Sequence, residues 1–351
     1  MPKTINREEL LKQLESVTPG LSPREIIEQS GCFAFLKGKV LTFNDEISCW
    51  TECCLRITGA VPAKPLLESL RKMPEETLEV HIDEGKLVLK GKRRRARVAL
   101  KTSVTLPFKS VGEPKKWTTL PTDFLEAVNL VHRCAGKDEK KLEVYVHIHP
   151  ERIEACMEHQ VGHFRTHTDL PKPILVRRDS IKHIVLLGMV EFGLAVEWTH
   201  FRNPNGVVLS CRHVMEESFP DTSKVLSIKG TKIVLPKGLA DAAERAAVFS
   251  EENAEDNDVT VILKPGKVIV IGSGASGDFR EVKNVKYNGE EMMFMVSPKL
   301  LADLTRKYNE AWITPDTLKV RAGKFTYVTA LGPMEDKAEG KEEETTEEST
   351  E

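Results

Sequence analysis

The chain has 351 residues, enough for two or three domains that each bury a core. Charge is nearly balanced, with 51 Lys and Arg against 53 Asp and Glu for a net of −2. Seven scattered cysteines, only Cys53 and Cys54 adjacent, exclude a disulfide-stapled scaffold, and no apolar stretch is long enough to cross a bilayer as a helix. With no signal peptide read at the start, a reducing, cytosolic location is expected.

The near-zero net charge hides a split. Residues 335–351 hold nine acids and two bases, net −7, which leaves 49 bases and 44 acids, net +5, on the rest. That acidic tail has no apolar periodicity and is expected to be disordered.

In chain order, a helical period runs from Arg7 to about Val17, with Leu10, Leu11 and Leu14 on one face and Asn6 as N-cap. Leu78-Glu79-Val80-His81-Ile82 and Lys86-Leu87-Val88-Leu89 alternate around Asp83-Glu84-Gly85, a hairpin signal. A second helix spans Phe124 to Cys134 behind Thr122 or Asp123 as cap, and residues 144–149 alternate again. Ile181, Ile184 and Val185 mark a short helical run. A further helix spans about Leu239 to Phe249, followed by a hairpin from Val259 to Ile271 around Pro265-Gly266. Turn residues and charge replace pattern near 110–117 and 220–231, which read as linkers.

One phrase occurs twice. Leu66, Leu67 and Leu70 of the segment 61–72 match Leu300, Leu301 and Leu304 of the segment 296–307, at an offset of 234, or two steps of about 117. Together with helix starts separated by roughly 115 residues, this is a three-fold internal repeat. Each repeat reads helix, strands, helix, strands. That is an α+β class with helices on one face of antiparallel sheets. The expected domains are 1–115, 116–228 and 229–334, with the tail at 335–351.

Three motifs suggest other chemistry. Gly272-Ser273-Gly274-Ala275-Ser276-Gly277 fits G-x-G-x-x-G after an apolar strand, the pattern of a dinucleotide site. The helix that motif needs is missing, because 279–287 is rich in β-branched and turn residues, so a flexible hairpin loop is expected. Cys156, His159, His163 and His167, with His147 and His149 nearby, offer zinc-type ligands without closed zinc-finger spacing. His147 and His149 are instead read as exposed strand neighbours. Cys49, Cys53 and Cys54 read as small buried hydrophobes on a strand rather than a redox group. No catalytic arrangement is recognisable from spacing. No enzyme activity, cofactor or metal is expected, and the alternative is an NAD(P)-dependent or zinc enzyme built on the 272–277 loop or the histidines.

Ordered phrases along residues 3 to about 334 resemble the bacterial beta sliding clamp, the processivity subunit of the replicative DNA polymerase. They are Asn6-Arg7-Glu8-Glu9-Leu10-Leu11, Leu41-Thr42-Phe43-Asn44-Asp45-Glu46-Ile47, Glu217-Ser218-Phe219-Pro220-Asp221, Arg245-Ala246-Ala247-Val248-Phe249-Ser250, Tyr287-Asn288-Gly289-Glu290-Glu291-Met292, and Tyr327-Val328 through Pro333-Met334. The chain departs from the family in its acidic tail and in 160–165, which keeps only a Gly-His core of the usual cleft loop. The resemblance implies three DNA-clamp domains per chain and a head-to-tail homodimer closing a ring. Twelve helices would line a hole for double-stranded DNA. The partners implied are the replicative DNA polymerase, a clamp-loader ATPase and a second copy of the chain, with no membrane and a cytoplasmic, nucleoid-associated location.

A DNA-lined hole calls for cations on the helices. Those available are Arg7, Lys12, Lys64, Arg71, Lys72, Arg133, Lys137, Arg177, Arg178, Lys182, Arg245, Lys299, Arg306 and Lys307. By resemblance, Arg24 and the loop Lys140-Lys141 also fall where the family touches DNA. The family's partner-peptide cleft maps to Gly162, His163, Phe164, Leu331, Pro333 and Met334. Its dimer seam maps to Leu106 and Phe108 on one edge and Val248 and Phe249 on the other. The tail, with a random-coil reach of roughly 20–25 Å, is expected either to tune access to that cleft and keep DNA off the outer face, or to be an inert extension.

Overall fold

A computed structural model describes residues 3–137, 141–215, 219–250 and 258–332. Lys140, Glu217, Ser218, Pro333, Met334 and the tail 335–351 therefore lie outside the described residues. The chain forms two compact units. The first runs to Lys224 and includes Gly323–Thr326, and the second takes the described chain from Val225 onward.

Helices pair within each unit. Asn6 opens α1 (Arg7–Ser16) with its side chain accepting from the Glu9 amide at 2.9 Å, the expected cap. Leu10 and Leu14, one turn apart, are buried where α1 packs on α2 (Ala63–Lys72). That helix buries Leu66, Leu67 and Leu70. α3 (Phe124–Val131) tightens into a 3-10 turn at His132–Cys134 and packs on α4 (Arg178–Leu186), whose Ile181 and Ile184 are buried. Asp123 stands at the start of α3 but does not cap it. Its carboxylate instead accepts from Thr166 Oγ1 and Lys324 Nζ, both at 2.6 Å.

A short helical turn, α5 (Ser223–Leu226), interrupts the stretch read as linker, because the Asp221 side chain takes the Ser223 amide. In the second unit α6 (Leu239–Ala247) packs on α7 (Pro298–Lys307), where Leu300, Leu301 and Leu304 are buried like their counterparts in α2. α6 ends two residues before the expected Phe249. The amides of Val248, Phe249 and Ser250 bond three residues back rather than four, which closes the last turn.

The described strand pairings are antiparallel. In the first unit Lys3–Asn6, Thr77–Asp83, Lys86–Lys90 and Arg95–Ala99 form one sheet, with the expected hairpin closing at Asp83 opposite Lys86, so that only Glu84-Gly85 form the turn. A second sheet is ordered Gln160–Arg165, Arg152–Met157, Tyr145–His149, Ile174–Arg177, Val208–Met215, Ile47–Glu52, Lys39–Phe43, Cys32–Leu36, Gly59–Pro62. The join between Val208–Met215 and Ile47–Glu52 sets Val208 opposite Trp50 and Ser210 opposite Ser48. This sheet therefore crosses the expected boundary near residue 115 without a break, which is why the first 224 residues form one compact unit.

In the second unit Thr231–Val234, Glu310–Ile313 and Thr317–Ala322 are sheet neighbours in that order, and Gly277–Asn284, Lys267–Gly274, Val259–Lys264 and Met292–Val296 form a four-stranded sheet. On the latter, Gly272 passes directly under the end of α6. A Cβ at this position would stand 1.8 Å from the Ala246 carbonyl oxygen. Only glycine allows that approach of helix to strand.

Candidate nucleic-acid interface

Helix cations fall into two groups. Lys12, Lys64, Arg71, Lys72 and Lys137 in the first unit are exposed, as are Arg245, Lys299, Arg306 and Lys307 in the second. Several are held in place by ion pairs between paired helices. Arg71 at the end of α2 reaches Glu15 of α1 at 2.8 Å, and Arg306 of α7 reaches Glu244 of α6. Arg245 pairs with Glu281, and Lys72 with Glu68 one turn before it. Such exposed pairs contribute little to stability, and a polyanion can exchange the carboxylate for phosphate. Arg24 and Lys141 are exposed in loops, Lys141 with Glu158 at 2.9 Å.

The second group is turned inward, and two expected DNA contacts are corrected by it. Arg178 is 3 % exposed, and its Nη1 donates to the Ala135 carbonyl at 3.0 Å. It closes the end of the turn that follows α3 instead of offering charge to a ligand. Arg7 donates through Nε to the Glu75 carbonyl and through Nη1 to Leu70 at the end of α2. Both arginines satisfy backbone oxygens that a helix or turn end leaves unpaired. Arg177, Lys182 and Arg133 are half-buried, with Glu46, Asp179 and Asn129 as partners.

The competing motifs resolve into structure. The 272–277 segment is the tip of the hairpin between Lys267–Gly274 and Gly277–Asn284, paired in register from Lys267–Asn284 to Gly274–Gly277. A strand follows the glycines where a dinucleotide site needs a helix N-terminus, so the NAD(P) reading fails. No group of three or more metal-type side chains gathers among the described residues, which leaves the zinc reading without support. Cys49 and Cys53 are buried free thiols, and burial pushes the Cys49 thiol up.

His147 is not the exposed neighbour expected. It is 1 % exposed, stacks on Phe219 at 4.5 Å between ring centroids, and its Nδ1 lies 2.9 Å from Glu154. Glu154 is buried too and accepts from Arg152 Nε at 2.7 Å and Thr222 Oγ1 at 2.9 Å. Burial disfavours the carboxylate, but the bonds from His147, Arg152 and Thr222 outweigh it and hold Glu154 down to about 2. This network clamps the segment around Phe219-Pro220-Asp221 to the sheet. Period-two pattern alone did not reveal it, although a Glu and a His facing each other on adjacent strands is a usable signal.

The cleft residues are mostly interior. Phe164 is 2 % exposed. Gly162 is buried with a Cβ position only 2.5 Å from Cys134 Sγ, and His163 is half-buried. Leu331 is buried in the second unit, where its amide donates to Asp316. Among the described cleft residues only His163 is partly exposed. At the expected seam, Leu106 is 4 % exposed in a core cluster with Phe43 and Trp198, and is withdrawn as a surface contact; Phe108 packs against the edge of that cluster. Val248 is 70 % exposed, and Phe249 is half-buried against Phe279.

No family model matches the chain, and no curated protein does either. Solved structures match over nearly all of it. A putative DNA polymerase III beta subunit from Eubacterium rectale superposes with a TM-score of 0.70 at 17 % identity, covering 95 % of this chain and 100 % of that one. The DNA polymerase III subunit beta of Pseudomonas aeruginosa gives 0.69 at 18 %, and that of Thermotoga maritima 0.70 at 15 %, with the same coverage. The fold is the sliding-clamp fold. Within it the helix pairs α1–α2, α3–α4 and α6–α7 are the repeated element that the two copies of the leucine phrase announced. The exposed helix cations of this chain sit on the first and third of these pairs more than on the second.

Proposed function

We propose that this chain is a DNA sliding clamp. Three clamp domains, 1–115, 116–228 and 229–334, repeat along each protomer, and two protomers join head to tail in a ring around duplex DNA. The ring tethers a replicative polymerase and acts without catalysis. A clamp-loader ATPase opens it onto DNA in the cytoplasm, at the nucleoid. The observation that carries this reading is coverage. The fold is shared over 95 % of the chain and the full length of solved beta subunits, not over one module.

The exposed lysines and arginines of α1, α2, α6 and α7 support it. They are cations on long stems, suited to a phosphate surface that must be held weakly enough to slide. Val248 and Phe249 at the end of α6, with Phe108, are the proposed seam. A mass near 79 kDa in solution, twice the 39.4 kDa chain, is expected. The deciding experiment is retention: protein loaded on closed circular DNA stays bound through a salt wash and is lost when the circle is cut. Equal retention on linear and circular DNA rules out a topological hold.

A further inference from the structure

Away from the helix cations, one face of the long sheet of the first unit carries an open groove of about 830 Å³. Trp198, His200 and Arg202 alternate along one strand and so share a face. His200 lies opposite Ser210, which in turn lies opposite Ser48. The floor of the groove is thus the join between the first and second repeats. Gly112, Pro114 and Trp117, from the stretch that connects those repeats, line it together with Leu41 and Trp50.

His200 is the unexpected group. It is 2 % exposed; its Nδ1 lies 2.8 Å from Ser210 Oγ, while its Nε2 is buried with no hydrogen-bond partner. Burial and the neighbouring His213 lower its pKa to about 4, so the ring is neutral at pH 7. A buried ring nitrogen left unpaired in a groove of ligand size is costly unless a bound group completes it. Cations crowd the rim. Lys39 Nζ sits 3.6 Å over the Trp50 ring, and Arg202 4.5 Å over Trp117. Lys37 and Lys39 have no ion pair among the described residues, and Lys115 and Lys116 are exposed between Pro114 and Trp117. Glu52 and Glu113 are the acids that line the groove.

We propose that this groove docks an acidic, extended segment of another protein through one aromatic or aliphatic anchor. The anchor would lie between Trp50 and Trp117, a backbone amide group would complete His200 Nε2, and flanking carboxylates would meet Lys37 and Lys39. Single-stranded nucleic acid also favours aromatic and basic residues. It fits less well here, because Lys39 and Arg202 already cover a face of Trp50 and of Trp117, the faces on which bases would have to stack. The site is separate from the helix cations and does not depend on the clamp reading.

The test is fluorescence anisotropy at low salt with a fluorescein-labelled nonapeptide of eight glutamates around a central phenylalanine. The full chain binds it saturably. Trp50→Ala and the double variant Lys37→Glu/Lys39→Glu each weaken binding about tenfold, and exchanging the phenylalanine for alanine does the same. Lys267→Glu, at the exposed start of a strand elsewhere, leaves the affinity unchanged. The proposal is overturned by absent binding, by indifference to the Lys37/Lys39 variant or to loss of the phenylalanine, or by equal weakening in Lys267→Glu. It is also overturned if binding appears only after residues 335–351 are removed, which assigns the groove to the chain's own tail. Displacement of the peptide by a twelve-residue oligothymidylate makes it a nucleic-acid site, and a changed assembly mass in Trp50→Ala makes it an interface between copies.

Discussion

The pairs α3–α4 and α6–α7 are built alike and use their cations in opposite ways. In α3–α4 the basic residues are drawn inward: Arg178 is buried on the Ala135 carbonyl, and Arg177, Lys182 and Arg133 are half-covered. In α6–α7 all four, Arg245, Lys299, Arg306 and Lys307, face solvent, two of them steered by Glu281 and Glu244. The same residue types thus pack inward in one pair, Arg178 on a backbone carbonyl, and stay at the surface in the other. The lesson is that a charge count on a helix does not predict a ligand until each side chain's carbonyl partners are known.

The largest effect should come from the buried side of this contrast. Arg178→Ala leaves the Ala135 carbonyl, and the nearby one of Gly136, unpaired in the interior, and is expected to cost about 3 kcal/mol. Thermal unfolding would read this as a clear fall in Tm, with the salt dependence of DNA binding unchanged in the folded fraction. A loss of DNA affinity without a loss of Tm would put Arg178 back among the ligand contacts.

Acid should expose a second inward-facing network of the first unit. Glu154 is held well below the usual carboxylate range, so its stabilisation is complete above about pH 4.5 and is lost as pH falls toward 2. The contribution is on the order of 2–3 kcal/mol. Glu154→Gln should flatten the acid limb of the stability curve and lower stability at pH 7. A wild-type-like acid limb in that variant would show that the network does not titrate this way.

Smaller effects belong to the outward-facing pair. Phe249→Asp, just beyond α6, should shift sedimentation from dimer toward monomer, by ~2 kcal/mol of association if the ring lies in the seam. An unchanged dimer would move the seam elsewhere. Smallest in stability is the pair Lys299→Ala and Lys307→Ala on α7. Each should change folding by less than ~0.5 kcal/mol and lower the salt slope of DNA binding by about 1. Unaltered slopes would remove α7 from the DNA-facing set.

The helices and hairpins were readable in the chain, and the direction of their cations was not, for a physical cause. Leucine spacing gives α2 and α7, Asn6 gives the start of α1, and Asp83-Glu84-Gly85 gives a hairpin. These are local signals, set by neighbours within a few residues. The direction of Arg178 depends on Ala135, 43 residues away. The role of Gly272 depends on Ala246, and that of Glu154 on Thr222. The three-part repeat was legible, but not that the first two repeats would share one sheet. That sharing is decided by pairing between Val208–Met215 and Ile47–Glu52, which no local pattern encodes.

That pairing also bears on how the protein is made. Strand Ile47–Glu52 is matched on one side by Lys39–Phe43 soon after synthesis, but its other edge waits for a partner about 160 residues downstream. At 5–20 residues per second, translation leaves this edge open for roughly 10–30 s. Closing so long a loop is entropically slow, and an open edge is a template for pairing with other nascent chains. Aggregation during synthesis, more than stability once folded, is then the hazard this architecture carries, and premature termination between residues 115 and 208 is where it would be greatest.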